Sequence, residues 1–391
     1  MRFPEFSGEW EKNNLSKFSS KITKKNKGNV IQNVLCNSAN LGIIPQNDYF
    51  DRDIANADNT DSYYIIEQGD FVYNPRKSTA APYGPVNIYN GEKPGIISPL
   101  YLCFSVLNIS PSFLFYRFKS SVWHPYVYSH GDTGVRFDRV SIKDDVFFDM
   151  PIYTPTQNEQ EKIATLLSLI DERIATQNKI IEDLKKLKSA IIEKIFNEPH
   201  SNKIRLGDIG SYIRGLTYSN DDVVEQDGVF VMRSNNIING SSLDYQHNIV
   251  SVNKQILTEQ QLQDGDIIIC MANGSSSLVG KSSFYDGNCS IPITVGAFCG
   301  IYRSKEPIVK WLFQTSKYRR YIGNSLQGGN GAIANLNGDD ILRMSFSIPD
   351  APAKDNGVKL LTSLDTLLES NLLLYGLYTK QKKYLLRQMF I

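Results

Sequence analysis

The sequence has few of the residues that build metal centres, and those it has are scattered. Five cysteines and four histidines occur among its 391 residues. There is no C-x-x-C pair and no H-E-x-x-H segment, which excludes the common zinc-ribbon and zinc-protease patterns. An odd, unclustered set of cysteines also argues against a disulfide framework. We therefore expect no bound metal and a reducing compartment.

Long apolar runs and an excess of one charge are missing as well. The longest apolar stretch, around residues 372–378, is far too short to span a bilayer, and the N-terminal residues lack the apolar core of a secretory signal. Lys and Arg total 42 against 41 for Asp and Glu, so the net charge is +1. These features predict a cytoplasmic protein of several domains, with any nucleic-acid contact confined to local patches.

No recognisable catalytic pattern occurs either. The nearest candidate, the segment 274–282, ends in Gly-Lys-Ser like a phosphate-binding loop, but five residues separate its glycines, one more than the motif allows. No nucleophile elbow stands out. The sequence therefore favours a non-catalytic protein, while an enzyme with an unrecognised site stays open as an alternative.

The chain repeats itself at an interval close to half its length. Asp171 and Asp365 lie 194 positions apart at matching places in two long helical patterns, and residues 69–70 reappear as 265–266. Small changes in the interval are what short loop insertions and deletions produce. We infer two copies of one unit, each a globular part of about 150 residues followed by one long helix.

Two long helices are predicted, from about residue 158 to 197 and from about 358 to 391. Each has apolar residues at alternating spacings of three and four, the heptad pattern of a coiled coil. Because neither helix can bury its apolar side alone, we predict an antiparallel pair within the chain; a homodimer in which each helix meets its copy remains an alternative. The predicted interface residues are Ile170, Ile174, Gln177, Ile181, Leu364, Leu368 and Asn371.

Short segments rich in Val, Ile, Tyr and Phe, broken by Gly and Pro, predict strands in both globular parts. A short helical segment accompanies them in each half, at 112–119 and 307–322. The expected fold class is α+β, with two pseudo-repeated domains joined by two long antiparallel coiled-coil helices. The boundaries we predict are 1–152 for the first domain, 153–198 for the first long helix, 199–348 for the second domain and 349–391 for the second long helix.

The segment that leads into the first long helix resembles a known family. Residues 151–164, PIYTPTQNEQEKIA, followed by Leu167, Ile170, Asp171 and Ile174, are similar to the start of the first conserved helix in the DNA-specificity (S) subunits of type I restriction–modification systems. The second copy, at 348–352, keeps the prolines but lacks Glu-Gln. Three further segments resemble target-recognition sequences of this family, at 91–101, 271–274 and 278–281.

The resemblance implies a division of roles among several subunits. Each globular part would be a target recognition domain that reads one half of a bipartite double-stranded DNA sequence. The helix pair would set the half-site spacing and dock two methyltransferase (modification) subunits, which restriction (endonuclease) subunits would join. S-adenosylmethionine, ATP and Mg would bind to those partners, so this chain would be non-catalytic and hold no cofactor. A coiled-coil scaffold that binds only protein partners is the alternative.

Candidate DNA contacts are polar side chains in local patches, several of them in glycine-rich loops. Arg suits guanine edges, Asn suits adenine edges, and Lys suits phosphates. Arg136 follows Gly134, and Asn330 lies between two glycines, where the backbone can approach DNA closely. The predicted contacts are Arg76, Lys77, Tyr83, Arg136 and Arg139 in the first half, and Arg233, Asn235, Asn236, Lys281 and Asn330 in the second.

Overall fold

The computed structural model describes residues 1–49, 60–131, 138–198, 201–326 and 334–390. It divides the chain into two compact units. The first unit comprises Met1–Asn178 with Leu373–Ile391, and the second comprises Lys179–Leu372. The predicted DNA contacts Arg136 and Asn330 lie outside the described residues.

The described part of the first unit combines short strands with three short helices and portions of two long ones. Its strands are β1 (Glu11–Asn14), β2 (Ser19–Lys21), β3 (Val34–Ser38), β4 (Gly42–Pro45), β5 (Tyr64–Ile66), β6 (Phe71–Tyr73), β7 (Val86–Ile88), β8 (Gly95–Ile97), β9 (Leu102–Val106) and β10 (Pro151–Thr154). Its helices are α1 (Pro111–Lys119), α2 (His124–His130), α3 (Asp144–Phe148) and the first part of α4 (Gln157–Phe196). One sheet has the strand order β2-β9-β6-β7, a second has the order β4-β3-β8-β5, and β1 pairs with β10.

An aromatic core holds the first unit together. The rings of Phe71 and Phe104, on neighbouring strands, stack with their centres 5.3 Å apart. Helix α1 covers them, and it begins where Ser110 accepts the N–H of Phe113 and Pro111 occupies the first turn. Buried apolar residues from the start of α4 and the end of the last helix complete the same core.

The described part of the second unit follows the same plan. Its strands are β11 (Ser201–Arg205), β12 (Gly210–Arg214), β13 (Val223–Val224), β14 (Val229–Met232), β15 (Val250–Val252), β16 (Ile267–Cys270), β17 (Ala272–Asn273), β18 (Ser282–Phe284), β19 (Ile293–Val295), β20 (Cys299–Ser304), β21 (Ala334–Asn335) and β22 (Ser345–Pro349). Its helices are α5 (Leu206–Ile209), α6 (Val309–Leu312), α7 (Ser316–Leu326), α8 (Gly338–Leu342) and the first part of α9 (Ala351–Gln388).

The sheets of the two units correspond. The antiparallel sheet β12-β20-β16-β18 of the second unit matches β2-β9-β6-β7 of the first, and the pair β11–β22 matches β1–β10. The remaining four-stranded sheet of each unit contains one parallel pair, β3–β8 in the first and β14–β19 in the second. The predicted α+β class with two pseudo-repeated domains is therefore confirmed.

The two long helices pack against each other, as predicted. In the first unit the early part of α4 shares a core with the end of α9. In the second unit the later part of α4 shares a core with the early part of α9, so the pair is antiparallel. Of the predicted interface residues, five are buried and two are half-buried: Ile170, Gln177, Ile181, Leu364 and Leu368, and then Ile174 and Asn371.

Helix α9 begins at Ala351, earlier than the predicted start near residue 358. The reason is that Pro352 falls in the first turn, where a helix does not need the missing N–H. The N–H of Lys354 donates to the carbonyl of Asp350 at 2.8 Å and closes that turn. Gly357 follows, and a Cβ there would lie 3.2 Å from the Cδ1 of Ile195 on α4, so the glycine allows a close approach of the helices.

Candidate nucleic-acid interface

A basic surface patch in the first unit forms where two chain segments pair beyond the end of β6. Arg76 and Arg139 face each other in an isolated antiparallel bridge. The N–H of Val140 donates to the carbonyl of Pro75 at 2.9 Å, and the N–H of Lys77 donates to the carbonyl of Asp138 at 2.8 Å. We call Arg76, Lys77 and Arg139 the first patch.

The charges of the first patch are only weakly compensated. The Nε atoms of Arg76 and Arg139 both lie 3.9 Å from the Oδ2 of Asp138, and the side chain of Arg76 is 69% exposed. Long, exposed ion pairs of this kind contribute little. The buried Nε of Arg139 has no hydrogen-bond partner among the described residues. Both guanidinium groups therefore keep the capacity to bind an anion such as a DNA phosphate.

Two aromatic residues border the first patch. Burial raises the pKa of Tyr101, which lies within the electrostatic influence of Arg76 and Arg139. Tyr83, a predicted contact, is half-buried: its carbonyl accepts the hydroxyl of Tyr73 at 2.9 Å, and its ring lies 4.8 Å from the His124 ring. The hydrogen bond between Tyr73 and Tyr83 thus joins the two ends of the loop that carries Arg76 and Lys77.

A corresponding polar patch lies in the second unit. Strand β17 pairs with β21 so that Ala272 faces Asn335, and both positions lie 196 residues after Arg76 and Arg139. The side-chain amide of Asn273 donates to the Oγ of Ser234 at 3.4 Å, which brings the 233–236 turn next to this strand. Arg233 and Asn235 are exposed on that turn. We call Arg233, Asn235 and Asn273 the second patch.

Two predicted DNA contacts of the second unit, Asn236 and Lys281, are less exposed than Arg233 and Asn235. Asn236 is fully buried, and its amide donates to the carbonyls of Asp244 and His247 while its oxygen accepts the N–H of Arg233 at 2.9 Å. Every hydrogen-bonding atom of that side chain is engaged within the fold, so Asn236 shapes the turn, and its contact with DNA stays a prediction. Lys281 is half-buried beside β16, where its carbonyl accepts the N–H of Cys270 at 2.9 Å.

Two exposed apolar residues precede equivalent strands of the two units, one of them beside the second patch, and sequence reasoning missed them. Phe298 is 68% exposed, and its carbonyl accepts the N–H groups of Met271 and Ala272, immediately before Asn273. Leu100, 198 positions earlier, is 65% exposed before the equivalent strand of the first unit, β9. Apolar side chains so placed can contact a thymine methyl or wedge between base pairs. The signal available in the sequence was an apolar residue preceding the same strand in both copies.

Neither a cluster of metal-ligating side chains nor a helix that could span a membrane occurs in the described residues. No group of three or more His, Cys, Asp or Glu side chains among them is arranged to hold an ion. No helix in the described part of the chain is long and apolar enough to cross a membrane.

No protein-family model matches the chain. The chain is 33% identical over 173 residues to the type I restriction enzyme EcoKI specificity subunit of Escherichia coli (strain K12), a match that covers 41% of this chain and 34% of that protein. It is 32% identical over 172 residues to the StySPI specificity subunit of Salmonella potsdam, with the same coverage. The chain thus spans about a third of the length of the curated relatives that it matches.

Solved structures agree with these relatives at the level of the fold. The S subunit of a type I restriction–modification system from M. genitalium superposes with a TM-score of 0.60 at 14% identity, covering 100% of this chain and 99% of that one. A chain from a structure on complex assembly and conformational transition of the type I R-M system gives a TM-score of 0.57 at 12% identity, covering 98% and 97%. The resemblance predicted from residues 151–164 is therefore confirmed: this chain is similar to type I specificity subunits and shares their fold.

Proposed function

We propose that this chain is the sequence-specific DNA-binding subunit of a type I restriction–modification complex, with each domain reading one half of a bipartite target. The observation that carries the proposal is the duplication of a polar surface patch. The pairing that carries the first patch and the β17–β21 pairing that carries Asn273 of the second patch occupy equivalent positions, beyond the ends of β6 and β16, in two units built alike. A protein that read one continuous site would not need the same surface twice.

The mixture of residues in each patch suits DNA. Arg76 and Lys77 offer cations for phosphates, Arg233 suits a guanine edge, and Asn235 or Asn273 suits an adenine edge. The overall charge of +1 supplies no general attraction to DNA. Affinity must then come from these local cations and from the partner subunits.

The long helices are proposed to fix the half-site spacing and to dock methyltransferase subunits. Large apolar side chains remain exposed on them within each unit, which is typical of surfaces that bind protein. In the first unit these are Leu169, Leu373, Leu374, Tyr375, Leu377 and Tyr384, and in the second Ile180, Leu187, Leu360, Leu367 and Leu372. Two methyltransferase subunits are the partners we propose for this surface, with restriction subunits joining them.

The remaining parts of the proposal follow from that assignment. The chain itself would be non-catalytic and would work in the cytoplasm, while S-adenosylmethionine, ATP and Mg would bind to the partners. The exposed leucines alone would also suit a coiled-coil scaffold without DNA. The duplicated patches favour the DNA-binding subunit, because a scaffold has no use for them.

The test is to assemble the chain with its methyltransferase subunits and map methylation by single-molecule sequencing. We expect one bipartite motif with a fixed spacer. Replacing residues 201–345 with the matching part of a related protein should then change one half of that motif and leave the other half and the spacer unchanged. Methylation at a continuous site, a change in both halves, or no methylation by an assembled complex would contradict the proposal.

A further inference from the structure

A carboxylate in the first unit joins three elements by directed hydrogen bonds. Asp171 lies on α4, and its Oδ1 is 2.5 Å from the Nζ of Lys382 on α9. Its Oδ2 accepts the hydroxyl of Tyr116 on α1 at 2.9 Å. Because α1 belongs to the globular part, this single side chain connects both long helices to the domain that carries the first patch.

A second carboxylate makes the same connection in the second unit. Asp365 lies on α9, and its Oδ1 is 2.6 Å from the Nζ of Lys188 on α4. Its Oδ2 accepts the indole N–H of Trp311 on α6 at 3.2 Å, with the Nζ of Lys310 at 3.1 Å. We call Asp171–Lys382–Tyr116 and Asp365–Lys188–Trp311 the anchor triads.

The two triads match position by position, and Asp365 has Lys310 as an additional partner. The acids lie 194 positions apart, the lysines also 194, and the aromatic donors 195. In each triad Oδ1 takes the lysine of the opposite long helix, and Oδ2 takes an aromatic O–H or N–H from the globular part. Only the helices exchange roles, since the acid is on α4 in one triad and on α9 in the other. A geometry that occurs twice with different aromatic residues indicates a specific task.

That task is to orient the globular part on the helix pair, because apolar packing alone does not fix the angle between them. Hydrophobic burial is non-directional, whereas a carboxylate with two donors on fixed elements is satisfied in one arrangement. Where water is excluded, an unpaired charge is costly, and this cost favours the one arrangement that keeps the carboxylate paired. The second triad is such a place, because the side chains of Lys188 and Asp365 are 9% and 10% exposed. In the first triad, burial and the nearby Asp171 raise the pKa of Tyr116, so its phenol remains a donor.

We propose that the anchor triads are positioning residues that orient each recognition domain on the helix pair and so determine which half-site spacing the chain accepts. The inference rests on the proposed function, because spacing is a property of a bipartite DNA target. It concerns Tyr116 and Trp311 above all, since these side chains belong to the domains and contact no part of either patch.

The test compares two tyrosines that each lose one hydroxyl. Tyr116→Phe removes the bond to the helix pair, while Tyr126→Phe removes a bond of similar length, 2.8 Å, to the carbonyl of Val146 inside the same domain. Each variant is assembled with methyltransferase subunits and assayed for methylation of duplexes that carry the wild-type motif with its spacer unchanged, or longer or shorter by one or two base pairs. Thermal unfolding of each complex is measured in parallel.

We expect Tyr116→Phe to keep the half-site sequences but to reduce the preference for the native spacer about tenfold, as a hydrogen bond to a charged group would give. Tyr126→Phe should keep the wild-type preference even if its melting temperature falls as far. The inference would be overturned if Tyr116→Phe left the spacer preference unchanged, or if Tyr126→Phe weakened that preference equally. It would also be overturned if an assembled Tyr116→Phe complex were inactive at every spacer length. Failure of the wild-type complex to methylate any bipartite duplex would instead refute the proposed function.

Discussion

Replacing Asp365 by leucine should lower the free energy of local unfolding around that residue in the second unit. The burial of its ion pairs determines the size of the loss. The side chain of Asp365 is 10% exposed, and its carboxylate forms ion pairs with the ammonium groups of both Lys188 and Lys310. Removing one member of a buried pair costs about 3–5 kcal/mol, because the remaining charge stays desolvated. Lys188 is the group left in that state: its side chain is 9% exposed, and the carbonyl of Gly240, 3.2 Å away, is a neutral acceptor that does not replace the lost charge.

Two matched variants separate this cause from a general loss of packing. Lys188→Met should cost less, about 1–2 kcal/mol, because Asp365 keeps Lys310 and the N–H of Trp311. Asp171→Leu, the equivalent change in the first unit, should cost about 1–2 kcal/mol, because it loses the hydrogen bond of Tyr116 while the side chains of Asp171 and Lys382 are 34% and 26% exposed and can be rehydrated.

Hydrogen exchange read by mass spectrometry measures these costs locally, without requiring the whole chain to unfold in one step. For Asp365→Leu we expect amides of α6 and of α9 near residue 365 to exchange on the order of a hundredfold to a thousandfold faster, since each ~1.4 kcal/mol is a factor of ten. Peptides of the first unit should be unaffected. The reasoning from burial would be refuted if Asp171→Leu cost as much as Asp365→Leu, or if Lys188→Met cost more than Asp365→Leu.

Three further changes have distinct expected outcomes. Arg76→Ala should weaken binding of the assembled complex to cognate and random duplexes alike and lower the salt slope by about 1, measured by titration at several salt concentrations; a loss confined to the cognate site would make Arg76 a base contact. Asn236→Ala should lower the unfolding free energy by about 2 kcal/mol in urea titrations, because the turn loses two hydrogen bonds donated by a fully buried amide; normal stability with altered specificity would make Asn236 a DNA contact. Burial, with Lys382 nearby, lowers the pKa of Lys119 to about 8 in the folded protein, whereas an unfolded lysine has a pKa of ~10.4. Between these two pH values the unfolded state binds more protons than the folded state, so stability rises with pH. Relative to Lys119→Met, wild type should therefore gain stability from pH 7 to 9.5, and a constant difference would contradict the lowered pKa.

Regular patterns in the sequence located the elements well. The heptads placed the start of α4 within one residue, and the segment predicted as helical at 112–119 is α1, Pro111–Lys119. The prediction for 307–322 gave one helix where the structure has α6 and α7, separated at Thr315, whose side chain accepts the N–H of Tyr318 at 3.1 Å and begins a new turn. Periodicity shows that a segment is helical, but it does not show a local interruption made by one capping side chain.

The candidate site was less accessible to sequence reasoning, for identifiable physical reasons. Asn235 and Asn236 are adjacent and identical in type, yet one is exposed and the other completely buried, because the turn points alternate side chains outward and inward. Asn273 and Phe298 were missed because their place beside Arg233 depends on strand pairing between distant segments. Residue type alone cannot report a contact that only the sheet register creates.

The exchange of roles between the anchor triads also bears on the alternative of a helix homodimer. Each long helix contributes one acid and one lysine, Asp171 with Lys188 on α4 and Asp365 with Lys382 on α9. A parallel pair of α4 helices would set Asp171 against its own copy, and the repulsion of like charges disfavours that arrangement. An antiparallel pair of α4 helices would match Asp171 with the second copy of Lys188 and is electrostatically acceptable. The pairing of α4 with α9 is nonetheless favoured, because two helices of one chain meet at a high effective concentration, whereas two separate chains must associate from dilute solution.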